Sequence, residues 1–320
     1  MTKKKRIGLI MRKGYGIHAD HIDTLRRFVD EIYLWTAVES EMIDPRFAHV
    51  YKLPPLSEEE VFEGIIGQAK QLDIPCFITW QETDVLLTAK LNEQMGNFDV
   101  PVSAAMISRN KIKQRKFLVE NNLPCPRFNE VASLEEALTV AQQMGYPVII
   151  KPTKAASSAN VSLVFSDEEL KKAYQKLDYF VTQEQGFYEH NRDESYILIE
   201  EFVSGEEVTV DGVVVNGQFY LGGIHHKKRM MGPFFEEDEY TLPYIGEQEA
   251  ELKQLAEAIC SSLGLKNSLF NVEVRQDHHG QPKIIEFSAR ISGGHVYRNI
   301  RDVHKIDLVA AHLTGVLGES

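Results

Sequence analysis

Short runs of consecutive apolar residues alternate with stretches whose apolar positions recur every three or four residues through the first third of this chain. That pattern predicts strands at residues 6–11 and 75–80 and helices at 20–35, 57–72 and 84–95, which is α/β character. Ser57 and Glu60 read as a capping box for the second helix, and Gly96 stops the third. Residues 101–103 (PVS) close this block, with a boundary near residue 105. The middle block opens on a basic helix at 109–121, ended by Pro124 and Pro126. A helix capped by Ser133 and Glu136 and stopped at Gly145 follows, then strands at 146–151 and 160–165 and a helix capped by Ser166 and Glu169. The last block holds a strand at 196–203, a hairpin at 207–220 turned at Asn216 and Gly217, a helix at 247–263 stopped by Gly264, a second hairpin, and a final helix at 306–317. Three units result: an open α/β domain at 1–105 and two α+β units at 106–195 and 196–320.

The second hairpin, LFNVEVRQDHHGQPKIIEFSARISGG at residues 269–294, carries the most chemistry. A two-residue loop at His279 and Gly280 opposes Glu273 with Glu286 and Asn271 with Ser288, while Val272, Val274, Ile285 and Phe287 take the other face. Directly opposed side chains lie about 5 Å apart, where two carboxylates repel. A divalent cation of the Mg²⁺ kind relieves that repulsion, because it accepts one or two carboxylates and leaves its other positions to water and phosphates. Ser288 and Arg290 continue the same face. Arg290 would aim a planar guanidinium at an anion held there, and Gly293 and Gly294 would admit backbone amides. A solvated hairpin with scattered charge fits the same residues.

Composition narrows the class. With 320 residues, 43% hydrophobic and 26% charged, the chain reads as two or three globular domains. A net charge of -12 argues against nucleic acid or an anionic membrane as the main partner. Three scattered cysteines, Cys76, Cys125 and Cys260, suit a reducing compartment and make no metal or redox motif. The start MTKKKR precedes an apolar run far too short for a signal core or a membrane span, so a cytoplasmic protein is expected.

Further segments point toward phosphate and nucleotide. Lys111 lies on the first turns of the basic helix, and Lys151 ends the apolar run GYPVIIKP. The loop after it, TKAASSAN, places Ser157 and Ser158 among small side chains that suit a flap wrapping phosphate oxygens. In IEEFVSGEE, backbone groups of a bend at 201–203 can pair with an adenine edge, and Glu207 can accept both ribose hydroxyls. No P-loop or dinucleotide glycine motif occurs.

Taken in order, NK at 110–111, GYPVIIKP, IEEFVSGEE, FNVEVR and IEFSARISGG resemble the ATP-grasp superfamily, and within it the carboxylate-amine ligases related to D-alanine:D-alanine ligase and the L-amino-acid ligases. The resemblance covers nearly the whole chain and is strongest from residue 110 to 307. It implies an N-terminal open α/β domain, with ATP clamped between the central and C-terminal units. By position it implies that Lys111 and Lys151 contact phosphates, that Glu200, Glu201, Phe202 and Val203 form the adenine hinge, and that Glu207 holds ribose. Glu273 and Glu286 would bind Mg²⁺, with Mn²⁺ an alternative, and Arg290 would hold an acyl phosphate. The implied reaction is attack of a carboxylate on the γ-phosphate of ATP, then capture of the acyl phosphate by an amine.

One position departs from the family pattern. The third metal ligand is usually an asparagine two residues after the second glutamate, and Ser288 stands there; Asn271, opposite it, is an alternative carbonyl donor. The basic run Lys227, Lys228, Arg229 adds a candidate phosphate contact, with Lys228 favoured by strand parity with Glu207. His278 and His279 decorate the turn, and His295 would lie near an acceptor site. Residues 14–20 (GYGIHAD) and 229–240 (RMMGPFFEEDEY) are the expected substrate readers. An amino acid is the expected carboxylate and a small amine, peptide or carrier protein the acceptor, and a homodimer is left open. A bicarbonate-using carboxylase and a nucleotide-binding regulatory module are the competing readings.

Overall fold

The computed structural model describes residues 4–41, 43–54, 58–153, 160–183, 197–231 and 236–318. The first unit is a parallel sheet of β1 (Arg6–Ile10), β2 (Glu31–Thr36), β3 (His49–Lys52) and β4 (Phe77–Ile78), in the order β3-β2-β1-β4. Helix α1 (Ala19–Leu25) connects β1 to β2, α2 (Glu58–Gln71) connects β3 to β4, and α3 (Val85–Gln94) follows β4. The expected helix at 20–35 is half wrong: α1 ends at Leu25, and EIYLWT forms β2. Ile32 and Leu34 enter one core while Tyr33 and Trp35 enter another, so both faces are covered, and aromatic and β-branched side chains suit that double burial. Ser57, the expected cap of α2, lies outside the described residues.

Residues 102–108 form a helix, α4 (Val102–Ser108), which the sequence pattern does not predict, and α5 (Lys111–Glu120) follows after the Asn110 cap. The second sheet is antiparallel, ordered β5-β8-β6-β7, from β5 (Phe128–Val131), β6 (Val148–Pro152), β7 (Ser162–Val164) and β8 (Ile197–Glu201). Helices α6 (Leu134–Met144) and α7 (Asp167–Gln183) pack on it, each with the expected serine cap. Strand β5 was not anticipated.

The third sheet, ordered β11-β10-β9-β12-β13, is antiparallel and positions the site. Its strands are β9 (Glu207–Val215), β10 (Gln218–Met231), β11 (Glu236–Thr241), β12 (Ser268–Gln276) and β13 (Pro282–Ser288). Asn216 and Gly217, both at positive φ, make the tight turn between β9 and β10. Val208, Val210, Val272, Val274 and Phe287 bury one face beneath α8 (Glu249–Ser262), α4 and α5. The other face is apolar at one end, where Val213 and Leu269 meet α9 (Val296–His304), α10 (Leu308–Val316) and the first sheet. At its other end that face is polar. Among the described residues no helix is long and apolar enough to cross a membrane.

Four buried histidines bear on stability. Burial pulls His18 down to about 3 and His21, His225 and His312 to about 4. Each is neutral when folded and titrates near 6.5 when unfolded, so the unfolded chain binds more protons in between, and stability falls as pH drops below about 6.5. The loss is about 2 kcal/mol apiece at pH 5. The melting temperature should therefore fall by about 5 °C or more from pH 7 to pH 5. His225, with neither ring nitrogen hydrogen-bonded among the described residues, supplies the control. A His225→Phe variant whose melting temperature falls just as far would remove His225 from this account.

Candidate active site

The polar end of the third sheet is built by strand parity. On β9, Glu207, Thr209 and Asp211 share a face; on β12, Arg275, Glu273 and Asn271 stand opposite them; on β13, Glu286 and Ser288 oppose Glu273 and Asn271. The facing carboxylates are as expected, but the loop is not. Residues 277–281 form a wider turn, with Asp277 accepting from the amides of His279 and Gln281. The register that joins Glu273 to Glu286 is restored by a bulge beyond Glu273. Ile285 is the bulged residue, so Ile284 rather than Ile285 reaches the core.

Each carboxylate is met by a lysine. Lys111 Nζ donates to Glu286 Oε1 at 2.9 Å, and Lys227 Nζ lies 2.8 Å from Glu207 and 3.0 Å from Glu273. Burial pushes Glu286 up, but Lys111, Lys151 and Arg290 outweigh it and hold the carboxyl below its usual value. Lys227, not Lys228, is therefore the site lysine of the basic run. The parity argument for Lys228 fails because a bulge at Gly222, between Leu221 and Gly223, shifts β10 by one residue; Lys227 then pairs with Glu207 and Lys228 is exposed.

A second ionic group borders the first. Glu200 is fully buried between Arg115 Nε at 2.5 Å and Lys151 Nζ at 2.6 Å. Burial alone would raise Glu200, yet the two cations hold it below its usual value, while burial lowers Lys151. The Lys111 amide donates to Thr153 O at 2.9 Å, tying α5 to the end of β6. Glu201 pairs with Arg127, Phe202 lies under the Arg275 guanidinium, and Val203 is buried. Ser157 and Ser158 lie outside the described residues.

Three participants escaped the sequence reading. Arg115 was legible in principle, since it sits one helical turn after Lys111 on the same face of α5. Glu82, from the first unit, accepts from Ser288 Oγ at 2.8 Å and Arg290 Nε at 2.7 Å, with Arg109 at 3.6 Å. Nothing local marks Glu82, because its partners on β13 and beyond are over two hundred residues away. Lys227 was named but ranked behind its neighbour. His295 is exposed at the N-terminus of α9, its Nδ1 2.9 Å from Arg298 Nη1, and His278 and His279 are exposed on the turn.

The donor set is compatible with a divalent cation. Glu286 Oε2 accepts no hydrogen bond from the described residues, which leaves a carboxylate oxygen beside Glu273 for a metal, and Mg²⁺ needs no third acidic ligand when phosphates and water complete its shell. Among the described residues no group of three His, Cys, Asp or Glu could hold a metal. The arrangement thus suits a cation shared with a polyphosphate better than an all-protein cage.

Comparison with known proteins bears on the fold that carries these residues. Residues 144–298 match the ATP-grasp domain family. Alanine–anticapsin ligase of Bacillus subtilis (strain 168) is 27% identical over 270 residues, which is 78% of this chain and 56% of that protein. D-alanine–D-alanine ligase of Ectopseudomonas mendocina (strain ymp) is 27% identical over 192 residues, 58% of this chain and 56% of that protein. The chain thus spans little more than half the length of these relatives. The crystal structure of an L-amino acid ligase from Bacillus licheniformis superposes with a TM-score of 0.82 at 22% identity, covering 100% of this chain and 77% of that one. With its parallel N-terminal sheet, its two antiparallel α+β units and a domain match that spans parts of both, the chain has the ATP-grasp fold.

Proposed function

We propose that this chain is an ATP-dependent, ADP-forming ligase that activates a carboxylate, that of an amino acid, as an acyl phosphate and joins it to an amine. The observation that carries this reading is the facing pair Glu273 and Glu286, each with its own lysine, bordered by Lys151 and Arg290. We divide the chain into units 1–105, 106–195 and 196–320, with ATP between the second and third. Glu273 and Glu286 would hold Mg²⁺, which when bound supplies positive charge against the polyphosphate.

The protein's own groups do the rest by position and charge. Lys111 and Lys151 neutralise phosphate oxygens, Lys227 adds a third cation, residues 200–203 receive adenine, and Glu207 receives ribose. A substrate carboxylate oxygen attacks the γ-phosphorus and the bond to ADP breaks. The Arg290 guanidinium faces the charge that develops on the acyl phosphate. The amine nitrogen then attacks the acyl carbon, phosphate departs with its bonding electron pair, and the ammonium proton passes to phosphate or water. No side-chain nucleophile is needed.

A phosphate-release screen of amino acids, singly and in pairs, tests the reading against bicarbonate. Release with one amino acid and its increase with a second are expected. Release with bicarbonate alone would move the protein to carboxylase chemistry, and ATP binding without carboxylate-dependent release would leave a regulatory module.

The ribose role has its own test. Glu207→Ala leaves Lys227 paired with Glu273, and Arg275, which loses its Glu207 contact, keeps its hydrogen bonds to Gly205 O. The KM for ATP should rise about tenfold while kcat stays within about threefold, because ribose is held equally in ground and transition states. A large fall in kcat at unchanged KM would refute the assignment.

A further inference from the structure

Ser288 and Asn271 face each other across the β12–β13 ladder, next to the carboxylate pair, but their side chains are directed to different partners. Ser288 Oγ donates its proton to Glu82 Oε2 at 2.8 Å, and that same oxygen accepts from Arg290 Nε at 2.7 Å. Arg290 Nη1 donates to Ile291 O at 2.7 Å, so two positions of the guanidinium are fixed by protein and Nη2, with no hydrogen-bond partner among the described residues, is left toward a ligand. The hydroxyl thus belongs to the group that orients Arg290.

Asn271 is 4% exposed, and its amide orientation is determined by its neighbours. Thr209 Oγ1 donates to Asp211 Oδ2 at 2.9 Å, so toward Asn271 it can only accept, and Asn271 Nδ2 meets it at 2.5 Å. With the NH₂ end given to Thr209 on β9, Oδ1 remains as an acceptor one register pair from Glu273 and Glu286. No donor among the described residues reaches that oxygen. An acceptor oxygen in a polar site without a protein donor is satisfied by water or by a cation.

We propose that Asn271 Oδ1 is the neutral oxygen ligand that joins Glu273 and Glu286 at the cation, and that Ser288 is a positioning residue acting on Arg290 through Glu82. The amide ligand has in effect crossed the ladder by one register pair. This assignment rests on the nucleotide–metal reading above.

The test uses the full chain with ADP and Mn²⁺, free Mn²⁺ being counted by electron paramagnetic resonance. Asn271→Ala should weaken Mn²⁺ uptake about tenfold or more. Asn271→Asp, which keeps an oxygen at that position, should bind at least as tightly as the wild type, which separates loss of a ligand from loss of fold. Ser288→Ala should leave Mn²⁺ affinity within about twofold yet lower kcat at unchanged KM for ATP, as expected of a group that orients Arg290. The reverse pattern, with Ser288→Ala losing the metal and Asn271→Ala retaining it, overturns the assignment. So does equal binding by all the variants while the wild type binds normally. A wild-type chain that takes up no Mn²⁺ with ADP overturns the nucleotide–metal reading and this assignment with it.

Discussion

Glu286→Gln is expected to lower ADP-forming turnover about a hundredfold or more, the usual cost of removing a charge that stabilises a phosphoryl-transfer transition state. Glutamine keeps the volume, and its carbonyl can still accept from Lys111, which now donates at 2.9 Å, so the fold should survive. What disappears is the negative charge facing Glu273 across the ladder. The carboxylate pair becomes a single carboxylate, and the lysines then repel a cation with less to offset them. The measurement is kcat at saturating Mg²⁺, with melting temperature as the control. Activity within about threefold of wild type would remove Glu286 from the metal site.

Among the substitutions, the largest expected effect on stability falls at Glu200→Ala. The change leaves Arg115, 0% exposed, and Lys151 buried without the carboxylate that both contact. Breaking a buried pair by deleting one partner costs about 3–5 kcal/mol. The two cations differ in how they respond. Lys151 can relieve its burial by losing a proton, toward which burial already pulls it. Arg115 cannot, and its Nη2 contact with Ile285 O at 2.5 Å does not neutralise it. Denaturant titration followed by circular dichroism reads the loss. A change below about 1 kcal/mol would mean that water reaches Arg115 and that Glu200 is not the group that makes its burial tolerable.

Much of the site was legible because it depends on alternation along a strand. The opposition of Glu273 and Glu286 follows from a hairpin with one apolar face, since a slip of one residue would turn Val272 and Phe287 out of the core. The same constraint holds the register although the loop is wider than two residues: a bulge at Ile285 keeps the apolar face buried. Parity failed where bulges intervene. On β10 the irregularity near Gly222 exchanged the roles of Lys227 and Lys228, and nothing in the local pattern announces a bulge there. Helix periodicity misled at 31–36, because a strand buried on both faces has no alternation to read.

The sequence by itself determined the α/β and α+β character of the three units, the two carboxylates on one face of the hairpin, the serine caps of α6 and α7, and the resemblance that those motifs carry, since each depends on neighbours a few residues apart or on one hairpin register. Only the tertiary structure decided the counter-ions. Arg115 with Glu200, Lys111 with Glu286, and Glu82 with Ser288 and Arg290 join segments from about eighty to two hundred residues apart. Charge pairing is not periodic and leaves no local pattern. It is set by which ionic groups are buried together once the sheets pack, where an unpaired charge costs too much to remain.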